Sequence, residues 1–289
     1  MGLTDDVRAH CARIAASARS VTIDLARLEA FEGSPEATID ASFHYLDGPP
    51  EAVARYLLTL DSINFGSGWF PTLRRRPGHS GYATVAGALA DRFRVEGSWS
   101  NADLRSLEAA QIATVLGQPR DHELMALYAQ ALRALGRWLG ERSALAAIAD
   151  AGGSAEAFAT QLCAMRMFDD RGFYKRAQLA PANLALAGVA TFEDLDRLTI
   201  FADNLVPHVL RCEGVLRYDE RLAARIDAGL DLRAGPQERE IRACAVHACE
   251  LLAARLGVPP RVLDNWLWTR GQQAAYKARP RHRCRCVYY

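Results

Sequence analysis

Apolar residues along this chain recur at intervals of three and four and almost nowhere alternate singly with polar ones, which confines the fold to packed helices. Val7, Cys11, Ile14 and Ala18 mark one such stripe, and Leu124, Leu127, Tyr128, Leu132 and Leu135 another, behind an Asp121 suited to a helix cap. The pattern predicts helices over residues 5–18, 50–60, 84–92, 101–116, 121–139, 154–167, 173–186, 191–198, 203–212, 236–253 and 260–269. Gly48-Pro49-Pro50 is a firm break after 37–47, a segment with no clear period. Apolar patches at 20–23 and 214–218 predict two short strands at most. The expectation is an all-α fold, mainly helical with a few short strands, in a single compact domain spanning residues 1–289.

Of the 289 residues, 50% are hydrophobic, enough for a sizeable core. A net charge of +1 argues against a dedicated nucleic-acid clamp, so no stable nucleic-acid complex is expected. No apolar run has the length of a membrane span, and Met-Gly-Leu-Thr-Asp-Asp does not read as a signal peptide. Asp6 stands where a myristoylation signal expects Ser or Thr. These features predict a cytoplasmic protein without membrane attachment. Seven scattered cysteines make no disulfide framework. Cys244, His247 and Cys249 lie in a helical stretch at spacings of three and five, which do not present one face, so buried thiols are expected there rather than a metal site. The basic run at 279–289 reads as a mobile tail, with phosphate contact as the other reading.

Four stretches could carry chemistry. In Leu-Thr-Ile-Phe-Ala-Asp-Asn-Leu-Val-Pro-His, Asp203 sits among apolar neighbours, where a carboxylate is costly to bury without a partner. It reads either as a helix N-cap or as a catalytic acid. Around residues 60–71, Ser62, Asn64 and Ser67 lie beside Phe65 and Trp69, a mixture suited to a planar ligand's faces and edges or to a structural turn. The Gly-Lys-Ser/Thr ending of a phosphate-binding loop is missing there. In Asp169-Asp-Arg-Gly-Phe-Tyr-Lys-Arg-Ala-Gln178, Tyr174 and Gln178 would share a helix face. Lys175 and Arg176 could pair with Asp169 and Asp170, or receive a phosphate, and Lys175 could pair with Asp203. In residues 262–271, Asp264 and Trp268 fall four apart on one helix face, with Asn265 and Thr269 alongside.

Together, Leu60-Asp-Ser-Ile-Asn-Phe, Phe173-Tyr-Lys-Arg-Ala-Gln, Leu198-Thr-Ile-Phe-Ala-Asp with Val206-Pro207, Glu240-Ile-Arg, and Asp264 with Leu267-Trp268 resemble the queuosine salvage proteins, which act as queuosine 5′-phosphate N-glycosidases. The matching pieces keep the family's order through most of the chain. The resemblance implies the helical architecture of helix-hairpin-helix DNA glycosylases. It implies release of queuine from a queuosine nucleotide for reinsertion into tRNA, with Asp203 as the catalytic aspartate and His44, Phe201, Ala202, Asp264 and Asn265 lining the base pocket. At Thr269 an acidic residue is expected in eukaryotic relatives.

The chemistry suits such residues. Breaking an N-glycosidic bond builds positive charge on the sugar, which a placed carboxylate stabilises while it orients water. Queuine is a 7-deazapurine without the N7 that ordinary purine nucleosidases protonate, which throws more weight on Asp203. Asp264 beside Trp268 would meet the ammonium of the base's side arm. His44 would bond the base or the diol, Ser62, Asn64 and Phe65 would contribute to the pocket, and Lys175, then Arg176, would meet the phosphate. No metal or cofactor is required. Two other readings remain on the residues alone, a helix-hairpin-helix DNA-repair glycosylase and a non-catalytic nucleobase-binding protein. Near-neutral charge and the lack of four-cysteine iron–sulfur spacing speak against the former. Oligomeric state is not encoded in any recognisable pattern.

Overall fold

Prolines and short polar caps set where the helices begin. Pro50, Pro236 and Pro260 each occupy a first helical position, where the missing N–H costs nothing. Ser80, Ser100, Ser143 and Ser154 accept the backbone N–H three residues on. The computed structural model describes residues 2–289. Among them are fifteen α-helices, two short 3-10 turns and one two-stranded sheet, so the mainly helical expectation holds. The two apolar patches are indeed strands: Val21–Ile23 pairs antiparallel with Leu216–Tyr218, Val21 opposite Tyr218. No described helix is long and apolar enough to cross a membrane. The helix order by itself carries no helix-hairpin-helix assignment.

Two apolar clusters form the interior. The first gathers side chains from helices Pro50–Ser62, Gly81–Glu96, Glu123–Leu139 and Ala155–Leu162, and the second from Leu3–Ser17, Val206–Cys212, Pro236–Leu256 and Pro260–Arg270. The stretch leading to Asp203 runs along the seam between them. Leu198 and Phe201 join the first cluster, whereas Ile200 and Ala202 join the second. The Lys175–Leu186 helix starts at the same seam, with Phe173 in the second cluster and Ala177 in the first. A segment shared by two cores is held from both sides, which suits it to carry a site.

Several boundaries differ from expectation for local reasons. The predicted 101–116 helix divides into Asn101–Ser106 and Ala109–Leu116, because the Gln111 side chain accepts the Glu108 N–H and starts a new helix. His122 rather than Asp121 caps the Glu123–Leu139 helix, its Nδ1 accepting the Leu124 N–H. The predicted 191–198 helix is only a 3-10 turn at Leu195–Arg197. Asp194 there spends its carboxylate on Ser154, Ala155 and Glu156, capping the neighbouring helix instead. Cys244 and Cys249 are buried in the second cluster.

The 279–289 segment, expected to be mobile, is packed. His282, Cys284 and Tyr289 are buried. The Tyr289 carbonyl accepts the Gly66 and Ser67 N–H groups, and the Leu232 N–H donates to the Arg283 carbonyl at 2.7 Å. Arg176 donates to the Val287 carbonyl, and the Arg242 guanidinium lies over the Tyr289 ring.

Candidate active site

Between residues 199 and 204 the chain has no regular structure, so its position depends on tethers from elsewhere. There are four. Gln178 Oε1 accepts the Thr199 N–H at 3.0 Å while its Nε2 donates to Thr199 Oγ1. Asp264 Oδ1 accepts the Phe201 N–H at 2.8 Å. Arg242 Nε donates to the Ala202 carbonyl at 2.9 Å, and Asn204 Nδ2 donates to the His282 carbonyl at 3.0 Å. Asp203 sits within this frame. Its Oδ1 accepts the Leu205 and Val206 N–H groups, opening the Val206–Cys212 helix. The other oxygen makes no hydrogen bond among the described residues and faces a cavity of about 640 Å³. One oxygen thus takes two backbone N–H groups at the start of that helix, whose N-cap residue is Leu205, and the other is open to the cavity.

That cavity brings together most of the residues singled out in the sequence. His44, Asn64, Phe65, Lys175, Phe201, Asp203, Asp264, Asn265, Trp268 and Thr269 all line it. The four residues on helix Pro260–Arg270 do so because spacings of one and four put them on one face. Two predicted residues are elsewhere. Ser62 is fully buried at a helix end and its hydroxyl donates back to the Leu58 carbonyl. Ala202 points its methyl into the second apolar cluster, opposite to Phe201. Arg176, a candidate for phosphate, is also spent elsewhere: its buried guanidinium donates to the carbonyls of Asp61, Ser62, Met167 and Val287. Asp170 pairs with Arg242 and Asp169 with Arg171, and among the described residues neither acid forms an ion pair with Lys175 or Arg176.

Local geometry explains the roles of the rest. Tyr174 precedes the helix rather than joining it, in the left-handed region at φ 50°, a conformation that strains a bulky residue and directs the chain so that Lys175 opens the helix at the seam. Lys175 is buried, its Nζ 3.4 Å from both the carbonyl and Oδ1 of Asn64. Burial pulls its pKa down, while Asp203, Asp61 and Asp264 oppose that. Asp264 is pushed up to about 7, chiefly by burial and then by the neighbouring Asp203 charge, with the Phe201 N–H and Lys175 opposing. Asp61, behind the wall and bonded to Asn183, is likewise pushed up to about 7 by burial. Asn265 spends its amide on both backbone groups of Thr38, at 2.9 Å each, which holds the irregular 37–44 segment over the cavity.

His44 needs its tautomer stated. Its Nδ1 lies 2.7 Å from the Asp40 carbonyl, which can only accept, so Nδ1 carries the proton. Burial lowers its pKa and favours the neutral ring, and Nε2 then accepts from the Tyr82 hydroxyl at 2.9 Å. Tyr82 packs edge-on against Trp268, ring centroids 5.4 Å apart. Sequence reasoning missed Tyr82, since a lone Tyr in a helix carries no motif. It also missed Arg281 and Tyr289, which line the cavity from the tail.

The arrangement is one free carboxylate oxygen between aromatic walls, with a buried lysine and a second, easily protonated carboxyl beside it. The volume and mixed lining suit a nucleotide-sized ligand. Comparison with known proteins agrees. A family model described as queuosine salvage protein matches residues 43–289. A Sphaerobacter thermophilus protein named queuosine 5′-phosphate N-glycosylase/hydrolase is 34% identical over 278 residues, covering 87% of this chain and 86% of its own. Proteins of the same name from Mus musculus and Dictyostelium discoideum are 35% and 34% identical over 136 and 134 residues, each covering 40% of both chains. The chain therefore belongs to the queuosine salvage protein family.

Proposed function

We infer that this protein hydrolyses the N-glycosidic bond of queuosine 5′-phosphate, releasing queuine and ribose 5-phosphate. The observation that carries this is the unpartnered Asp203 oxygen facing a nucleotide-sized cavity, in a chain whose relatives bear that activity in their names. As the base departs, positive charge grows on the anomeric carbon and Asp203 offsets it. In a site walled by Phe201, Phe65 and Trp268 that attraction is stronger than in water. Water adds hydroxide to the sugar carbon, and its remaining proton goes to the departing base. Because Oδ1 is bound by two N–H groups, the carboxylate cannot swing away, so its placement costs no reorganisation during the reaction.

Asp264 and Trp268 would hold the base, and a cationic side arm beside Asp264 would draw that carboxyl to its ionised form. Tyr82, oriented by His44, offers its hydroxyl oxygen as an acceptor. Lys175 lies among the three carboxylates and keeps Asp203 from facing Asp264 uncompensated. No step calls for a metal or redox cofactor. Seven free thiols suit a reducing compartment, and we place the protein in the cytoplasm with a small-molecule substrate and no stable nucleic-acid complex. The DNA-repair alternative is not favoured, because the relatives act by name on a nucleotide. The test is incubation of purified protein with queuosine 5′-phosphate. Queuine release is expected; a blank result with the nucleoside and the 3′-phosphate also inert would remove the proposal.

A further inference from the structure

Within 279–289 four arginines alternate along the chain, and three have a carboxylate partner. Arg279 pairs with Asp227 at 3.0 Å, Arg283 with Asp231 at 3.5 Å, and Arg285 with Glu123 at 3.4 Å. Arg281 has no ion pair or hydrogen bond among the described residues. It lines the cavity, partly buried, with Asp203 as its acidic neighbour and Arg75 as its basic one. Burial lowers its pKa, and the nearby Asp203 charge opposes that shift without forming an ion pair among the described residues.

The backbone just after it is held at two successive carbonyls. Asn204 bonds the His282 carbonyl, and Leu232 bonds the Arg283 carbonyl. Arg281 is therefore carried on an anchored strand of chain beside the residue that follows Asp203, not on a loose end.

The order of charges along the cavity is also informative. Asp264 neighbours Asp203 and Lys175, whereas Arg281 neighbours Asp203 and Arg75. Asp203 is thus common to two ends, an aromatic end holding Asp264 and Trp268 and a cationic end holding Arg281, with the exposed Lys277 also in the lining. A nucleotide has the same order: base, sugar carbon, phosphate. Lys175 is the less suitable phosphate ligand because it already sits among Asp61, Asp203 and Asp264.

We propose that Arg281 binds the 5′-phosphate of the substrate, and that the 279–289 segment thereby sets a preference for nucleotide over nucleoside. This rests on the nucleotide N-glycosidase reading. A planar guanidinium fits a phosphate through two parallel N–H bonds, which a lysine cannot reproduce.

The experiment measures kcat/KM for queuosine 5′-phosphate and for queuosine with wild type, Arg281→Ala and Arg281→Lys. Arg281→Ala should reduce the phosphate-to-nucleoside ratio on the order of 10–100-fold, mostly through KM, with Arg281→Lys between it and wild type. Inorganic phosphate should inhibit wild type competitively and the Ala variant much more weakly. A ratio unchanged in both variants, or equal losses on both substrates, would overturn the proposal while leaving the activity itself standing. A wild type inert on both substrates would instead overturn the underlying reading.

Discussion

The Phe201 N–H donates to Asp264 Oδ1 over 2.8 Å, so the carboxyl that lines the aromatic end of the cavity also tethers the segment presenting Asp203 two residues later. A change at the Asp264 carboxyl is thereby mechanically joined to the placement of Asp203. The two acids also repel, which contributes to pushing Asp264 up to about 7.

That elevation makes Asp264 a cost to folding at neutral pH. A carboxyl whose pKa is raised by folding stabilises the protein fully below its ordinary value near 3.8, and this is lost as pH climbs through about 7. Asp264→Asn does not titrate, so its urea midpoint relative to wild type should rise between pH 4 and pH 8, by on the order of a few kcal/mol in stability. Queuine release should fall in the same variant. A wild type–variant difference in midpoint that is flat with pH contradicts this.

Arg242 should be among the costlier residues to remove. It is 2% exposed, paired with Asp170 and with Glu238 at 3.4 Å, and stacked on Phe173 at 3.9 Å. Arg242→Met leaves two buried carboxylates unpaired, a loss of about 3–5 kcal/mol by chemical denaturation. Arg285→Ala, at a half-exposed ion pair, should change stability by less than about 1 kcal/mol. Equal effects would mean the buried cluster is not what holds Ala202.

Tyr82→Phe deletes the hydroxyl that bonds His44 Nε2. Substrate KM should rise roughly 10-fold, because a buried ring nitrogen loses its partner and the cavity loses a polar group. The unchanged aromatic packing should keep the melting temperature within a few degrees. An unchanged KM would show that this pair does not face the substrate.

Gly68 marks where the tail meets the body. A Cβ there would lie 2.5 Å from the Cys284 carbonyl oxygen and 2.6 Å from its carbon, backbone atoms that cannot step aside singly. Gly68→Ala should lift the 279–289 segment, seen as faster amide exchange there with the helices still protected, and activity should fall at least about 10-fold. Full activity with a displaced tail would separate that segment from the site.

Much of the scaffold was legible because its signals are local. Proline at a first helical turn, the two short strands starting at Val21 and Leu216 (though not their pairing), and the face shared by Asp264, Asn265, Trp268 and Thr269 all follow from neighbours in sequence. Asp203 stood out because an acid among apolar residues needs a reason. What escaped depends on distant partners. The arginine run resembles a solvated tail until Asp227, Asp231 and Glu123 are placed beside it. Ser62 and Ala202 sit in the right motifs, yet a helix-end back-bond and the alternation along an extended segment turn them from the cavity. Arg176 likewise carries a charge suited to phosphate, and backbone carbonyls claim it.

The role of Asp203 is tested most directly by the rate of queuine release from queuosine 5′-phosphate under single-turnover conditions, wild type against Asp203→Asn. The amide can still accept the Leu205 and Val206 N–H groups, so the helix cap survives while the charge facing the cavity is lost. The predicted outcome is a rate lower by at least about 10²–10³ with substrate affinity and melting temperature near wild type. A variant that turns over within a few-fold of wild type would contradict the account.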